Sequence, residues 1–126
     1  MTEGTYLDSI LSYHRDRAEN DLRSLDQLLK EISTKENNRP SFQEKILAEK
    51  GLSVIAEIKR RSPSKGELKS NLDAVDLAQA YERAGAACVS VLTDYIHFGG
   101  SREDLLNVRR SVEVPILRKD FTVDFR

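Results

Sequence analysis

The chain has 126 residues, room for one ordinary domain with one modest core. Twenty Lys and Arg against 21 Asp and Glu give a net charge of -1, so there is no basic footprint for nucleic acid, and any anion must be caught locally. No apolar run is long enough to span a bilayer, MTEGTYLDSIL lacks the basic flank and apolar centre of a secretory signal, and the single Cys88 allows no internal disulfide; a cytoplasmic protein with neither membrane nor nucleic-acid partner is expected.

Leu7, Ile10, Leu11, Ala18, Leu22, Leu25, Leu29 and Ile32 recur at helical steps and predict one amphipathic helix, or two in succession, between residues 6 and 33. His14 lies near this stripe, where a packed or half-exposed histidine is expected rather than a catalytic one. TKENNRP, residues 34–40, is polar, ends in Pro and reads as a connection; a short helix over about 41–49 follows. Residues 1–50 are therefore expected to form an N-terminal helical extension.

After Gly51 the pattern changes. Residues 53–59 predict a strand, closed by the Pro63 and Gly66 turn region. Asp73, with Asp76 three residues on, caps a predicted helix carrying Leu77, Tyr81 and Ala84, and Gly85 ends it. Residues 87–92 form a nearly continuous apolar run, as expected of a strand buried on both faces of a parallel sheet, with Cys88 as a buried small hydrophobe. Gly99 and Gly100 mark a loop. Ser101 and Asp104 resemble a capping box opening a helix through Leu105, Val108 and Val112, and residues 115–120 form a third short strand. Strands recurring about every thirty residues, with helices between, predict right-handed βαβ units and an α/β parallel architecture. Spacing alone does not separate a barrel from an open doubly wound sheet.

Three features could carry chemistry. Glu57 and Lys59, two apart on one strand, face the same side, where a carboxylate and an ammonium are costly unless paired or functional; a structural ion pair or a solvated strand end is the alternative. The segment Arg60-Arg61-Ser62-Pro63-Ser64-Lys65-Gly66 follows that strand and suits a phosphate or polar group, the alternative being an ordinary solvated loop; it has neither Walker nor GxGxxG spacing. Lys119 ends the third strand on the face of Leu117 and Phe121. A buried lysine beside a second one suits a general acid near neutral pH, unless it simply reaches solvent. His14 and His97 have no partners at metal-ligand spacing, so no metal is expected.

At these residues the chain resembles a known family. VIAEIKRRSPS at residues 54–64, AGAACVSVLTD at 84–94, FGGS at 98–101 and PILRKDF at 115–121 are similar, in order and spacing, to the signatures of indole-3-glycerol phosphate synthases. Tyr6-Leu7-Asp8-Ser9-Ile10 and His14-Arg15 resemble the family's N-terminal helices. The resemblance implies a (β/α)8 TIM barrel with an extra helical segment over its catalytic face. It implies a carbon–carbon lyase (a carboxy-lyase) of tryptophan biosynthesis. The reaction is ring closure, decarboxylation and dehydration of 1-(2-carboxyphenylamino)-1-deoxyribulose 5-phosphate to indole-3-glycerol phosphate. A small phosphorylated substrate is thus the implied partner, with other tryptophan-pathway enzymes as possible associates, and no cofactor or metal is required.

Carried over by the resemblance, Lys119 is the general acid, Glu57 a catalytic carboxylate near the anilino group, and Lys59 a catalytic lysine on the substrate's anionic groups. Ser62 lies at the phosphate end, and Phe98 and Phe121 wall the aromatic ring. His97 departs from the aromatic or other large residue common at its position. Such a barrel takes roughly 250 residues, so residues 51–126 are expected to hold only its first βαβαβ portion, about three strands. A truncated chain, inactive alone, is the expectation. The alternatives are a catalytically dead barrel fragment acting as a binding or complementation module, and another phosphate-binding TIM-barrel enzyme.

Overall fold

The computed structural model describes residues 4–126; the first three residues of the expected helical extension, and of the stretch read for a signal, lie outside them. The described chain divides into two units, one of residues up to Asn38 together with Phe121–Arg126, the other of Arg39–Asp120.

In the first unit, α1 spans Tyr6–Glu19 and α2 spans Leu25–Ser33. Thr5 opens α1 with a reciprocal box: its hydroxyl accepts from the Asp8 amide at 3.3 Å while the Asp8 carboxylate accepts from the Thr5 amide at 2.7 Å. The Ser24 hydroxyl caps α2 by accepting from the Gln27 amide at 3.4 Å. The periodic stripe thus resolves into two helices with Leu22 between them. Its burial is less than the periodicity implies: Ile10 and His14 are buried in α1, whereas α2 buries no residue and Leu22, Leu25, Leu29 and Ile32 are exposed. Period marks a face; burial also needs a layer to cover it. Residues 121–126 return to α1, where the Arg126 guanidinium donates to the carbonyls of Ala18 and Asp21. Those carbonyls stand at the helix's end, where intrahelical donors run out. The His14 ring packs edge-on against Tyr13 at 5.2 Å and tilted against Phe121 at 6.1 Å.

The second unit runs α3 (Phe42–Ala48), β1 (Ile55–Ile58), β2 (Arg61–Ser62), β3 (Gly66–Glu67), α4 (Ala74–Arg83), β4 (Cys88–Leu92), α5 (Tyr95–Phe98), α6 (Arg102–Ser111) and β5 (Ile116–Lys119). β1, β4 and β5 form a parallel sheet in that order, with Glu57 opposite Ser90, Ser90 opposite Leu117, and Leu92 opposite Lys119. Alternation puts Ile58, Val89, Val91 and Ile116 on the helix side, where they meet Ala74, Ala78, Val108 and Val112 of α4, α6 and its C-cap. Each buried Val contributes about 1.5–3 kcal/mol, so this layer supplies much of the unit's stability. Central β4 is buried at every residue, as its apolar run predicts. The caps read from sequence are present: Asp73 Oδ1 accepts from the Val75 and Asp76 amides, and Ser101 Oγ from the Asp104 amide at 3.0 Å.

The β2–β3 hairpin and α5 are additions to the predicted elements; strands of two residues and a helix of four carry no legible period. Gly99 ends α5 at φ 66°, in the left-handed region. At Gly100 a Cβ would fall 2.0 Å from the Leu92 carbonyl oxygen, so only glycine lets the chain return against the end of β4. Arg60 ties this end of the sheet together. Its guanidinium grips Asp104 at 2.6 and 3.1 Å and also donates to the carbonyls of Gly99 and Leu72. No helix among the described residues is long and apolar enough to cross a membrane.

Candidate active site at the carboxyl ends of the strands

Glu57 stands at the centre of a cluster in the second unit. Its Oε1 lies 3.4 Å from the Lys59 ammonium, and its Oε2 lies 3.3 Å from that of Lys119. Lys59 shares the face of Glu57 because it is two residues further along the same chain direction. Lys119 arrives by a different route. Its strand is two removed from β1, a separation of about 10 Å, and the long lysine stem crosses over β4 to reach the carboxylate. Ser90, on β4 between them, donates from Oγ to Glu57 Oε2 at 3.3 Å. Tyr81 of α4 donates its hydroxyl to the Glu57 carbonyl at 3.1 Å, so both ends of the residue are held.

The side chains of Glu57, Lys59 and Lys119 are 32%, 33% and 49% exposed. The burial invoked for Lys119 from its strand position is therefore not what the fold provides: the amine is half exposed and held by a carboxylate. It meets the same Glu57 that Lys59 meets. Ion pairs so exposed contribute about 0–1 kcal/mol each, too little for stability to account for three charged side chains converging at the carboxyl end of a parallel sheet. That end is where α/β folds place their sites.

Ser62 is buried in the β2–β3 hairpin just after β1, its hydroxyl accepting from the Lys65 amide at 3.2 Å. Phe98 is half-buried at the end of α5, in the segment after β4. Phe121 belongs to the first unit, where its ring neighbours His14. His97 is paired through Nδ1 with Asp94 at 2.8 Å, while the other oxygen of that buried carboxylate accepts from the His97 amide at 2.7 Å and caps α5. Cys88 is fully buried, and burial pushes its thiol up, away from the reactive thiolate.

Ser90 and Tyr81 were not among the residues the sequence pattern marks for the site. Ser90 does carry a signal: it is the one hydroxyl in the apolar run Cys88-Val89-Ser90-Val91-Leu92, and a hydroxyl placed there needs a partner. Tyr81 carries none, because its helical spacing already explains it.

A model of the indole-3-glycerol phosphate synthase family matches residues 7–126. The chain is 43% identical over 123 residues to an indole-3-glycerol phosphate synthase of Mycobacteroides abscessus, covering 98% of this chain and 45% of that protein. It is likewise 43% identical over 123 residues to one of Aquifex aeolicus, covering 94% of this chain and 45% of the relative. Over 76 residues it is 58% identical to one of Kineococcus radiotolerans, covering 60% of this chain and 28% of the relative. The chain thus spans less than half the length of the curated relatives it matches, and its three-stranded parallel sheet with helices is part of a TIM-barrel architecture. By this match over nearly all its residues, the chain belongs to the indole-3-glycerol phosphate synthase family.

Proposed function

We propose that residues 1–50 serve as the helical extension, and 51–126 as the first strands, of an indole-3-glycerol phosphate synthase acting in the cytoplasm. The substrate is 1-(2-carboxyphenylamino)-1-deoxyribulose 5-phosphate. The observation that carries this reading is the Glu57 carboxylate shared by Lys59 and Lys119 at the strand ends.

In this reading the ring carbon bearing the carboxylate attacks the ribulose carbonyl carbon. The carbonyl electron pair moves to oxygen, which takes a proton from Lys119. Carbon dioxide then leaves, its bonding pair returning to the ring; the new hydroxyl departs as water with a proton from the methylene carbon beside the nitrogen, whose C–H pair becomes the indole double bond. Lys59 holds the substrate's anionic groups, Glu57 stands at the anilino nitrogen, and Ser62 lies at the phosphate end, with Phe98 and Phe121 against the aromatic ring. A general acid placed in this way is worth about two to four orders of magnitude in rate. Other tryptophan-pathway enzymes are natural associates, since they supply the substrate and consume the product.

The test is indole fluorescence from two proteins: the 126-residue chain alone, and the chain joined to the remaining length of the Aquifex relative. The chain alone is expected at the uncatalysed background and the joined protein well above it. A folded joined protein without turnover would overturn the assignment.

The open outer edges of β1 and β5 favour a second reading, a module that completes a barrel in trans. Activity on mixing the chain with the separately produced remainder of that relative distinguishes the two.

A further inference from the structure

We propose that Ser90 is a positioning residue for Glu57: its hydroxyl fixes the orientation of the carboxylate between the two lysines, and so where the Lys119 ammonium stands. The proposal rests on reading Glu57, Lys59 and Lys119 as the reacting groups. Ser90 is 3% exposed and lies in a strand whose other residues are all buried and apolar. A hydroxyl there is costly unless bonded, and it donates to Glu57 Oε2 at 3.3 Å.

Its value to the site lies in rigidity. β4 is paired on both sides, with Ser90 opposite Glu57 on one and Leu117 on the other. A short side chain on the most constrained strand makes a fixed point; the two lysines are long and flexible. The terminal torsion of a glutamate is broad, so a carboxylate held only by two flexible lysines could turn about its terminal bond. With Ser90 on Oε2 and Lys119 on the same atom at 3.3 Å, Oε1 is left to Lys59 at 3.4 Å. The Tyr81 bond to the Glu57 carbonyl anchors the backbone and leaves the carboxylate's rotation to Ser90.

The experiment is limited acetylation of the 126-residue chain, each lysine quantified by mass spectrometry against the exposed Lys35 and Lys69. Glu57→Gln should raise Lys119 acetylation by about two- to fivefold, the scale of a half-exposed ion pair. Ser90→Ala should raise it by a smaller factor and bring Lys119 and Lys59 towards equal reactivity. Ser90→Thr, which keeps the hydroxyl, should restore the wild-type ratio. In a Glu57→Gln background Ser90→Ala should add nothing, whereas a merely structural role would loosen the lysines in both backgrounds. Circular dichroism checks the fold of each variant, and Ser90→Cys, close in size but a weak donor, replaces the alanine if that variant misfolds. An unchanged Lys119-to-Lys59 ratio in Ser90→Ala, or an equal change in both backgrounds, overturns the positioning role and leaves the cluster reading intact. Glu57→Gln without effect on Lys119 sinks the cluster reading and the proposal with it.

Discussion

Glu57 of β1 and Lys119 of β5 lie 62 positions apart in the chain and meet at 3.3 Å across the strand between them. Neither residue is placed by its neighbours in sequence. The meeting depends on the register of three parallel strands, and that register depends on the apolar layer packed behind them.

The two lysines should divide kinetically in a protein extended to the full length of its relatives. In the proposed role Lys119 would deliver its proton only in the transition state, so Lys119→Met should lower kcat by about two to four orders of magnitude. Lys59, in the proposed role, would lie beside anionic groups present in both substrate and transition state, so Lys59→Met should raise KM as well. Near-normal kcat in Lys119→Met, with kcat lost in Lys59→Met, would show the roles to be reversed.

Gly100→Ala should destabilise the chain sharply. Its new Cβ would stand 2.0 Å from the Leu92 oxygen and 2.5 Å from the Leu92 carbonyl carbon, both backbone atoms that cannot swing aside. A loss of about 1–3 kcal/mol or more is expected, as for overpacking a tight site. Gly85→Ala is the control: φ there is 89° with no atom within 4 Å, so only local strain opposes it. Urea unfolding of both variants checks the order, and equal midpoints would contradict it.

The chain on its own should self-associate. β1 and β5 each have one neighbour in the sheet among the described residues, leaving a row of backbone groups available for pairing. Ile55 and Leu117 on the same sheet are 46% and 43% exposed. Size-exclusion chromatography should show an apparent mass that grows with concentration, with weak amide protection at β5. A protected monomer at every concentration would refute this.

The hold of Arg23 on Asp21 should be sensitive to acid. Hydrogen bonds from the Arg23 side chain and backbone hold the Asp21 carboxyl well below the usual carboxylate range. A depressed carboxyl contributes stability that is fully present above its unfolded value of about 4 and is lost as pH falls below it. Asp21→Asn should therefore loosen residues 121–126 near neutrality, since Arg23 also donates to the Arg126 carbonyl. The gap between the variant and the parent should narrow as pH falls from about 4 towards 2. Amide exchange across residues 121–126 near pH 7 and near pH 2 is the measurement, and a difference at pH 2 as large as that near neutrality would count against it.

Cys88 should be inert to thiol reagents in the native state. It is fully buried, and burial pushes its thiol up. Labelling with a chromogenic disulfide should be slow until denaturant is added; prompt labelling of the folded chain would show that β4 opens locally.

Local pattern alone determined a good deal of this protein. Strand spacing set the βαβ order, Asp73 and Ser101 announced their helices, and the period of two put Glu57 and Lys59 on one face; each is a property of a few neighbouring residues. Motif likeness named the family that the comparisons then showed. What required the tertiary structure is whatever depends on residues distant in the chain. Lys119 reaches Glu57, and Ser90 comes to lie between them, only because the valines of β4 pack against α4 and α6 and hold three strands in register. Phe121 follows Lys119 by two residues yet belongs with His14 in the other unit, since a strand's alternation ends where the strand does. The exposed stripe of α2 makes the same point in reverse: a helical period specifies a face, and only the folded chain decides whether anything covers it.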